Sequence, residues 1–235
     1  MSGERIGDEA GLDVGFLLAW IDRAAEKLAA AKDRLTDLDA AIGDGDHGTN
    51  LHRGFTAVRA ALQANPPQTP GAALVQVGGT LISSVGGASG PLYGTLFRRM
   101  GKALGEAEKV SPKDLAAAFA AGLEGVRKLG GASVGDKTMV DVLTPAIDAL
   151  NEALAEAPAD AASSARAFES AADAAEAAAQ ATIPLRARKG RASYLGERSE
   201  GHEDPGAASA ALLWRTLAET AAEAAAGTRA DGPLG

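Results

Sequence analysis

DAAIGDGDHGTN, residues 39–50, places three carboxylates, Asp39, Asp44 and Asp46, among interleaved glycines. Carboxylates this close repel one another when ionised, so folded proteins rarely gather them without a compensating cation. Hard oxygen ligands, in a chain without cysteine, suit Mg²⁺, Mn²⁺ or Ca²⁺. Glycine lets the backbone turn sharply and come close to a ligand. The stretch therefore predicts a divalent-metal site, and the alternative is an acidic loop that only faces solvent.

Two other kinds of metal site do not fit these residues. An EF-hand loop counted from Asp44 needs a Glu at the position that Phe55 occupies. A zinc site would use the histidines, but His47 and His52 are too far apart in sequence to align two ligands on one helical face. A histidine beside an acidic cluster is more often a hydrogen-bond partner than a ligand.

Composition limits the partners and the compartment. The formal net charge of -8 disfavours a nucleic-acid groove or an anionic membrane surface as partner. The absence of cysteine fits a reducing cytoplasm, and residues 1–13 carry no apolar signal segment. No apolar run approaches the ~20 residues of a membrane helix. We expect a cytoplasmic protein with one domain over residues 1–235, its core at about residues 14–226, because no linker-like composition interrupts the chain.

Apolar residues recur at helical spacing through most of the chain. Residues 14–38 predict one amphipathic helix that ends just before Asp39, and a later helix is expected from Leu92. Ser111-Pro112 and Asp204-Pro205 are typical helix starts, with a capping side chain before a proline. About eight helices and no alternating strand predict an all-α bundle.

Three further segments have the composition of anion-binding loops. Gly86–Pro91 is rich in small residues with open backbone amides, although an ordinary helix connection is the alternative. Gly131–Thr138 comes near a P-loop pattern, but Asp136 interrupts it. The basic segment, residues 183–203, concentrates Arg and Lys and is either a solvated face or an anion site. Together with the acidic stretch, these are the usual parts for holding nucleotide phosphates.

These motifs resemble those of the nucleotide-binding L subunit of bacterial dihydroxyacetone kinase, which is also the C-terminal domain of ATP-dependent dihydroxyacetone kinases. The matching segments are DAAIGDGDHGTN (39–50), SSVGGASGPLYGT (83–95), GDKTMVDV (135–142) and ARKGRASYLGERSEGHEDPGA (187–207). The resemblance implies an all-α closed barrel of eight antiparallel helices, with the nucleotide at one end.

The resemblance also implies which residues form the site. Asp39, Asp44 and Asp46 would hold two Mg²⁺ ions that bridge to the phosphates of ADP or ATP. The residues implied at the nucleotide are His47, Gly48, Thr49, Asn50, Ala88, Ser89, Gly130, Met139, Arg191, Asp204, Pro205 and Gly206. Gly130 and Met139 would border the adenine.

The function implied is that of an ADP/ATP-binding kinase subunit. It would present the γ-phosphate to dihydroxyacetone, or a related ketose, held on a partner subunit. We expect the route in which the nucleotide stays bound and a phosphohistidine partner of the phosphoenolpyruvate system rephosphorylates it. One alternative is an ATP-dependent ketose or tetrose kinase, and another is a module that reports nucleotide state to a transcriptional regulator. Assembly as a homodimer stays open.

Overall fold

The computed structural model of the protein describes residues 11–156 and 160–230, and helices dominate both ranges. The α-helices are α1 (Val14–Ala30), α2 (Lys32–Ile42), α3 (His47–Ala64), α4 (Pro70–Ser84), α5 (Ser89–Leu104), α6 (Pro112–Gly130), α7 (Val140–Glu156), α8 (Ala161–Ala181) and α9 (Pro205–Ala230). Two short 3₁₀ turns, separated by a kink at Gly196, cover Arg191–Ser199. The all-α prediction is confirmed. Within the described ranges, every helix is too short or too polar to cross a lipid bilayer.

Eight of these helices form a closed ring. Each packs against the next in the order α1, α3, α4, α5, α6, α7, α8 and α9, and α9 returns to pack against α1. The ring corresponds to the eight-helix barrel that the resemblance implied. The additional helix, α2, lies beside the ring, where it contacts α3 and α9.

Aromatic side chains from several helices meet inside the ring. The Trp20 ring centroid lies 5.8 Å from those of both Phe97 and Phe119. Phe119 in turn stacks on Trp214, with centroids 4.2 Å apart. Because aromatic rings bury large areas and prefer defined mutual orientations, this cluster fixes α1, α5, α6 and α9 relative to one another. Elsewhere the core is mainly Ala and Leu, which lets helices approach closely.

The helix start signals are confirmed by the caps. The Ser111 hydroxyl accepts a hydrogen bond from the Asp114 amide at 3.1 Å, and the Ser111 amide donates to the Asp114 carboxylate at 2.9 Å. This reciprocal pair is a capping box. The Asp204 carboxylate likewise accepts from the Ala207 amide at 2.7 Å at the start of α9.

Some element boundaries differ from the sequence prediction. The single helix expected over residues 14–38 is two helices, because the backbone turns at Ala31 (φ -89°, ψ 2°). Asp39 consequently lies inside α2 and not just beyond a helix end. The helix expected from Leu92 begins at Ser89. A pair of two-residue antiparallel strands, Leu12–Asp13 and Lys109–Val110, was also missed, since so short a strand has no alternation to detect.

Candidate functional site

A cavity of about 360 Å³ opens at the end of the ring where four helices begin. The first residues of α3, α5, α7 and α9 all line it, namely His47, Ser89, Val140 and Pro205. The first N–H groups of a helix have no intrahelical acceptor and carry the positive end of the helix dipole. This end of the ring therefore favours anions, in a cavity of the size that small-molecule ligands use.

Three carboxylates converge at the cavity, as the sequence predicted. Ligand oxygens of Asp39, Asp44 and Asp46 all lie within 4.8 Å of one another. Asp39 is buried, and its Oδ2 accepts hydrogen bonds from the amides of Asp46 (2.8 Å) and His47 (3.1 Å). Those two bonds hold the carboxylate across the turn between α2 and α3. The three hard anionic oxygens fit a divalent cation such as Mg²⁺.

The structure shows why two positions of the acidic stretch are glycine. A Cβ at Gly43 would lie 2.1 Å from Asp39 Oδ1, closer than any real contact, so only glycine leaves room for this carboxylate. Gly45 has φ of +71°, in the left-handed region that side chains disfavour. The tight approach of backbone to carboxylate therefore requires glycine at both positions.

Part of the basic segment reaches the acidic cluster. Arg191 Nε lies 2.9 Å from Asp44 Oδ2, and the Arg191 side chain is 68% exposed. Lys189, Gly190 and Arg191 all line the cavity. An exposed guanidinium thus lies next to the carboxylates, where it partly compensates their charge.

A buried lysine joins the two ends of the basic segment. Lys137 is 1% exposed, and its Nζ donates to the carbonyl oxygens of Thr182 (2.7 Å), Ile183 (3.3 Å) and His202. Burial lowers the pKa of the Lys137 ammonium, while the Asp204 carboxylate acts in the opposite direction. Because Thr182 and Ile183 stand at the start of the segment and His202 at its end, one side chain closes the loop.

One wall of the cavity is apolar. It is formed by Leu92, Val126, Leu129, Ala132, Met139 and Val140. Leu129 is 53% exposed although it is a large hydrophobic residue. A flat, mostly apolar group would suit this part of the lining.

A buried chain of hydrogen bonds links three of the helix starts. His47 Nδ1 lies 3.0 Å from Ser89 Oγ, and His47 Nε2 lies 2.9 Å from Ser209 Oγ. The Tyr93 hydroxyl lies 2.6 Å from the same Ser209 oxygen. Burial lowers the pKa of His47 despite the nearby carboxylates of Asp39 and Asp46.

Two buried carboxyl groups support the site: Asp204 lines the cavity, and Asp141 bonds to backbone amides of the loop before α7. Burial raises the pKa of Asp204 to about 7, against the lowering effects of the Ala207 amide and Lys137. Asp141 accepts from the amides of Gly135 (2.5 Å) and Thr138 (2.7 Å). Asp141 thereby sets the loop that carries Lys137 to its carbonyl partners.

The structure brings most of the predicted site residues together. Those that line the cavity are Asp39, Asp44, Asp46, His47, Ala88, Ser89, Gly130, Met139, Arg191, Asp204, Pro205 and Gly206. Gly48, Thr49 and Asn50 do not line it. Gly48 packs against α2, since a Cβ there would lie 2.0 Å from the Lys32 carbonyl oxygen, and Asn50 accepts from Arg53 at 2.8 Å. Contacts of these three residues with a nucleotide stay a prediction.

Sequence reasoning missed several residues that the structure places at the site. Tyr93 lies one helical turn after Ser89, so the four-residue spacing could have indicated a shared face. Lys137 was noted only as part of an interrupted P-loop pattern. Ser209 carries no local signal, because it is one serine in an alanine-rich helix and acts only through residues distant in sequence.

The fold and the site define an all-α domain with a carboxylate cluster at an anion-favouring cavity. The family model described as the DAK2 domain matches residues 41–219, and the chain belongs to this family.

Relatives are similar over most of their length. The chain is 42% identical over 208 residues to the ADP-binding subunit DhaL of PEP-dependent dihydroxyacetone kinase 1 from Listeria innocua, covering 88% of this chain and 97% of that protein. It is 44% identical over 207 residues to the ADP-binding subunit DhaL of the PEP-dependent dihydroxyacetone kinase from Escherichia coli, again covering 88% and 97%. These relatives are subunits of phosphotransferases.

A solved structure shares the fold. The crystal structure of the dihydroxyacetone kinase from C. freundii in complex with AMP-PNP and Mg²⁺ matches with a TM-score of 0.67 and 26% identity. The match covers 94% of this chain, and this chain spans 36% of the length of that kinase.

Proposed function

We propose that this chain is the ADP/ATP-binding subunit of a dihydroxyacetone, or related ketose, kinase. It presents the γ-phosphate of its nucleotide to a substrate held on a partner subunit. The observation that carries the proposal is the meeting of Asp39, Asp44 and Asp46 at the cavity where four helices begin. Carboxylates alone would repel phosphate, so this combination makes sense only with cations between them.

In this proposal the three aspartates hold two Mg²⁺ ions. When bound, such ions neutralise phosphate charge and orient the group for in-line transfer. The protein's own part is positioning: the amides of Asp46 and His47 fix Asp39, and the exposed Arg191 can leave Asp44 for a phosphate oxygen. Such transfer relies on positioning and charge stabilisation and needs no protein nucleophile.

The proposed nucleotide orientation uses both the polar and the apolar residues of the cavity lining. The phosphates lie at the starts of α3 and α5, next to the carboxylates and the Ala88-Ser89 loop. The base lies on the apolar wall, between Gly130 and Met139. In this orientation the γ-phosphate is presented to the substrate that a partner subunit holds.

We further propose that the nucleotide is a resident cofactor. A phosphohistidine protein of the phosphoenolpyruvate phosphotransferase system would rephosphorylate the bound ADP. The names of the relatives from L. innocua and E. coli support this route, since both are ADP-binding subunits of PEP-dependent kinases.

The first experiment purifies the protein without added nucleotide, denatures it and identifies what is released by chromatography, with and without prior EDTA treatment. Near-stoichiometric ADP that is lost only after chelation supports the resident cofactor. An empty protein that binds added Mg·ATP supports direct use of ATP at each turnover. An empty protein that binds neither nucleotide contradicts the proposal.

The second experiment replaces Asp44 by Asn in a kinase assay reconstituted with a dihydroxyacetone-binding subunit. We expect loss of at least about 100-fold in rate, because a metal ligand is removed while side-chain size is kept. Asp37→Asn is the matched control, since Asp37 is an exposed aspartate of α2, the helix that precedes Asp44. Turnover by the Asp44 variant at the control's rate would refute the metal assignment.

A further inference from the structure

We propose that Arg53 is a positioning residue for the phosphates of the nucleotide, although it stands outside the cavity lining. It ties the start of α3 to the end of α4 and thereby fixes the α4–α5 connection, residues 85–88. Gly87 and Ala88 of this connection line the cavity beside Ser89, the first residue of α5. The inference rests on the proposed function, because the phosphates are those of the bound nucleotide.

Two hydrogen bonds join Arg53 to the two helices. Its Nε donates to the Ser84 carbonyl oxygen at 3.0 Å, and its Nη2 donates to Asn50 Oδ1 at 2.8 Å. Ser84 is the last residue of α4, where the carbonyl has no intrahelical donor and a cation complements the helix dipole. Asn50 is buried near the start of α3. Because Nε and Nη2 lie on one edge of a planar guanidinium, the two bonds fix the helices relative to each other at this point.

Close packing carries this constraint into the connection itself. A Cβ at Gly54 would lie 2.1 Å from Val85 Cγ2, so α3 is in direct contact with the first residue of the connection. A Cβ at Gly86 would lie 3.2 Å from Asn50 Oδ1 and 3.3 Å from Arg53 Nη2. The Asn50–Arg53 pair therefore lies against the backbone of the connection and also holds the helix that precedes it.

An exposed cation near an anion site has a simpler possible role, which is attraction of phosphate by charge alone. Lysine would keep that role, and salt would screen it, because Arg53 is exposed. Positioning instead needs the guanidinium, since a single ammonium on a flexible stem does not hold two acceptors in a fixed geometry. The contacts favour positioning, because Ser84 and Asn50 engage both donors of one guanidinium edge.

Binding of Mg²⁺·ADP and of adenosine, which has no phosphate, separates these roles. We expect Arg53→Gln to bind Mg²⁺·ADP about tenfold more weakly, because the displaced connection no longer meets the phosphates. Its affinity for adenosine should be unchanged, and Arg53→Lys should lose nearly as much Mg²⁺·ADP affinity as Arg53→Gln. Calorimetry measures ADP binding, and NMR titration measures adenosine binding. Full recovery by lysine, or equal fold losses for the two ligands, would overturn the inference.

Hydrogen exchange reports on the connection without any ligand. The Val85 amide bonds to the Leu81 carbonyl at 3.0 Å, and the Leu92 amide bonds to the Ala88 carbonyl at 3.2 Å, one bond on each side of the connection. Both amides should exchange faster in Arg53→Gln than in the control variant. Equal exchange in the two variants would show that Arg53 does not hold the connection.

Arg59→Gln is the matched control, because Arg59 is another arginine of α3 and its Nε pairs with Asp22 at 2.6 Å. It should leave Mg²⁺·ADP affinity unchanged, since neither residue of this pair lines the cavity.

The inference and the proposed function fail in different ways. Wild-type protein that binds no Mg²⁺·ADP would refute the proposed function, and the exchange measurement would still decide whether Arg53 holds the connection. Equal Mg²⁺·ADP affinities of wild type and Arg53→Gln would leave the proposed function in place and overturn this inference.

Discussion

Replacing Lys137 by Met would release the loop that carries Arg191 to the cavity. Lys137 Nζ donates to the carbonyls of Thr182, Ile183 and His202, which stand at the two ends of the basic segment. Methionine has a similar length and buries well, but it has no donor. The substitution therefore removes the hydrogen bonds with little change in packing.

The expected loss of stability depends on which hydrogen-bond donors each of the three carbonyl oxygens retains in the variant. The Thr182 oxygen still accepts from the Leu185 amide at 3.1 Å, and the Ile183 oxygen from the Gly201 amide at 2.8 Å. Among the described residues, the His202 oxygen has Lys137 as its one hydrogen-bond donor. All three hydrogen bonds from Lys137 are lost, one of them leaving an orphaned acceptor, while the cost of burying an ammonium disappears. We expect a net loss of about 2–4 kcal/mol.

Urea unfolding measures the loss, and hydrogen exchange locates it. The amides of Arg188 and Gly201, which bond to Asp136 and Ile183 across the loop base, should exchange faster in the variant. Lys128→Met is the matched control, because Lys128 is exposed on α6. Unfolding free energies within about 0.5 kcal/mol of each other for both variants, with unchanged exchange, would refute the role assigned to Lys137.

Two further substitutions test the packing of the site. Gly43→Ala should weaken Mg²⁺-dependent ADP binding by about tenfold or more, because the new Cβ displaces the Asp39 carboxylate. Calorimetry measures the affinity, with Gly79→Ala as the control because a Cβ at Gly79 meets no atom within 4 Å. Equal affinities of the two variants would contradict the prediction. Asp204→Asn should flatten the pH dependence of stability. The folded-state pKa of Asp204 is raised from 3.8 to about 7, so wild-type stability falls as pH rises through that window, by at most about 4 kcal/mol. Denaturant unfolding in EDTA at several pH values measures this, and parallel wild-type and variant profiles would disprove it.

The structural features that depend only on residues close together in the chain were predicted correctly from the sequence. Helix type follows from apolar spacing, and the starts of α6 and α9 follow from a capping side chain before a proline. The acidic cluster was also predictable, because Asp39, Asp44 and Asp46 are close in the chain and the intervening glycines confine them. No distant contact had to be known.

Features that depend on distant contacts were not predictable in this way. The backbone turns at Ala31, although alanine favours helix and the apolar pattern continues across it. Lys137 has φ of +63°, the one positive value among non-glycine residues of the described ranges, and nothing in its residue type signals a buried side chain. Both depend on tertiary packing, which outweighs local preference.

The position of the site follows from the even number of helices in the ring. Neighbouring helices in a closed ring of eight alternate in direction, so α3, α5, α7 and α9 all begin at one end. The first N–H groups of these helices have no intrahelical acceptor and carry the positive ends of the helix dipoles, so that end attracts anions. The alternating ring helices do not by themselves place carboxylates at this end, where the helix starts favour anions. The additional helix α2 does this: it lies beside the ring and places Asp39 against the first amides of α3. Shortening or straightening the α1–α2 break would therefore move the carboxylates away while leaving the anion-favouring helix ends in place.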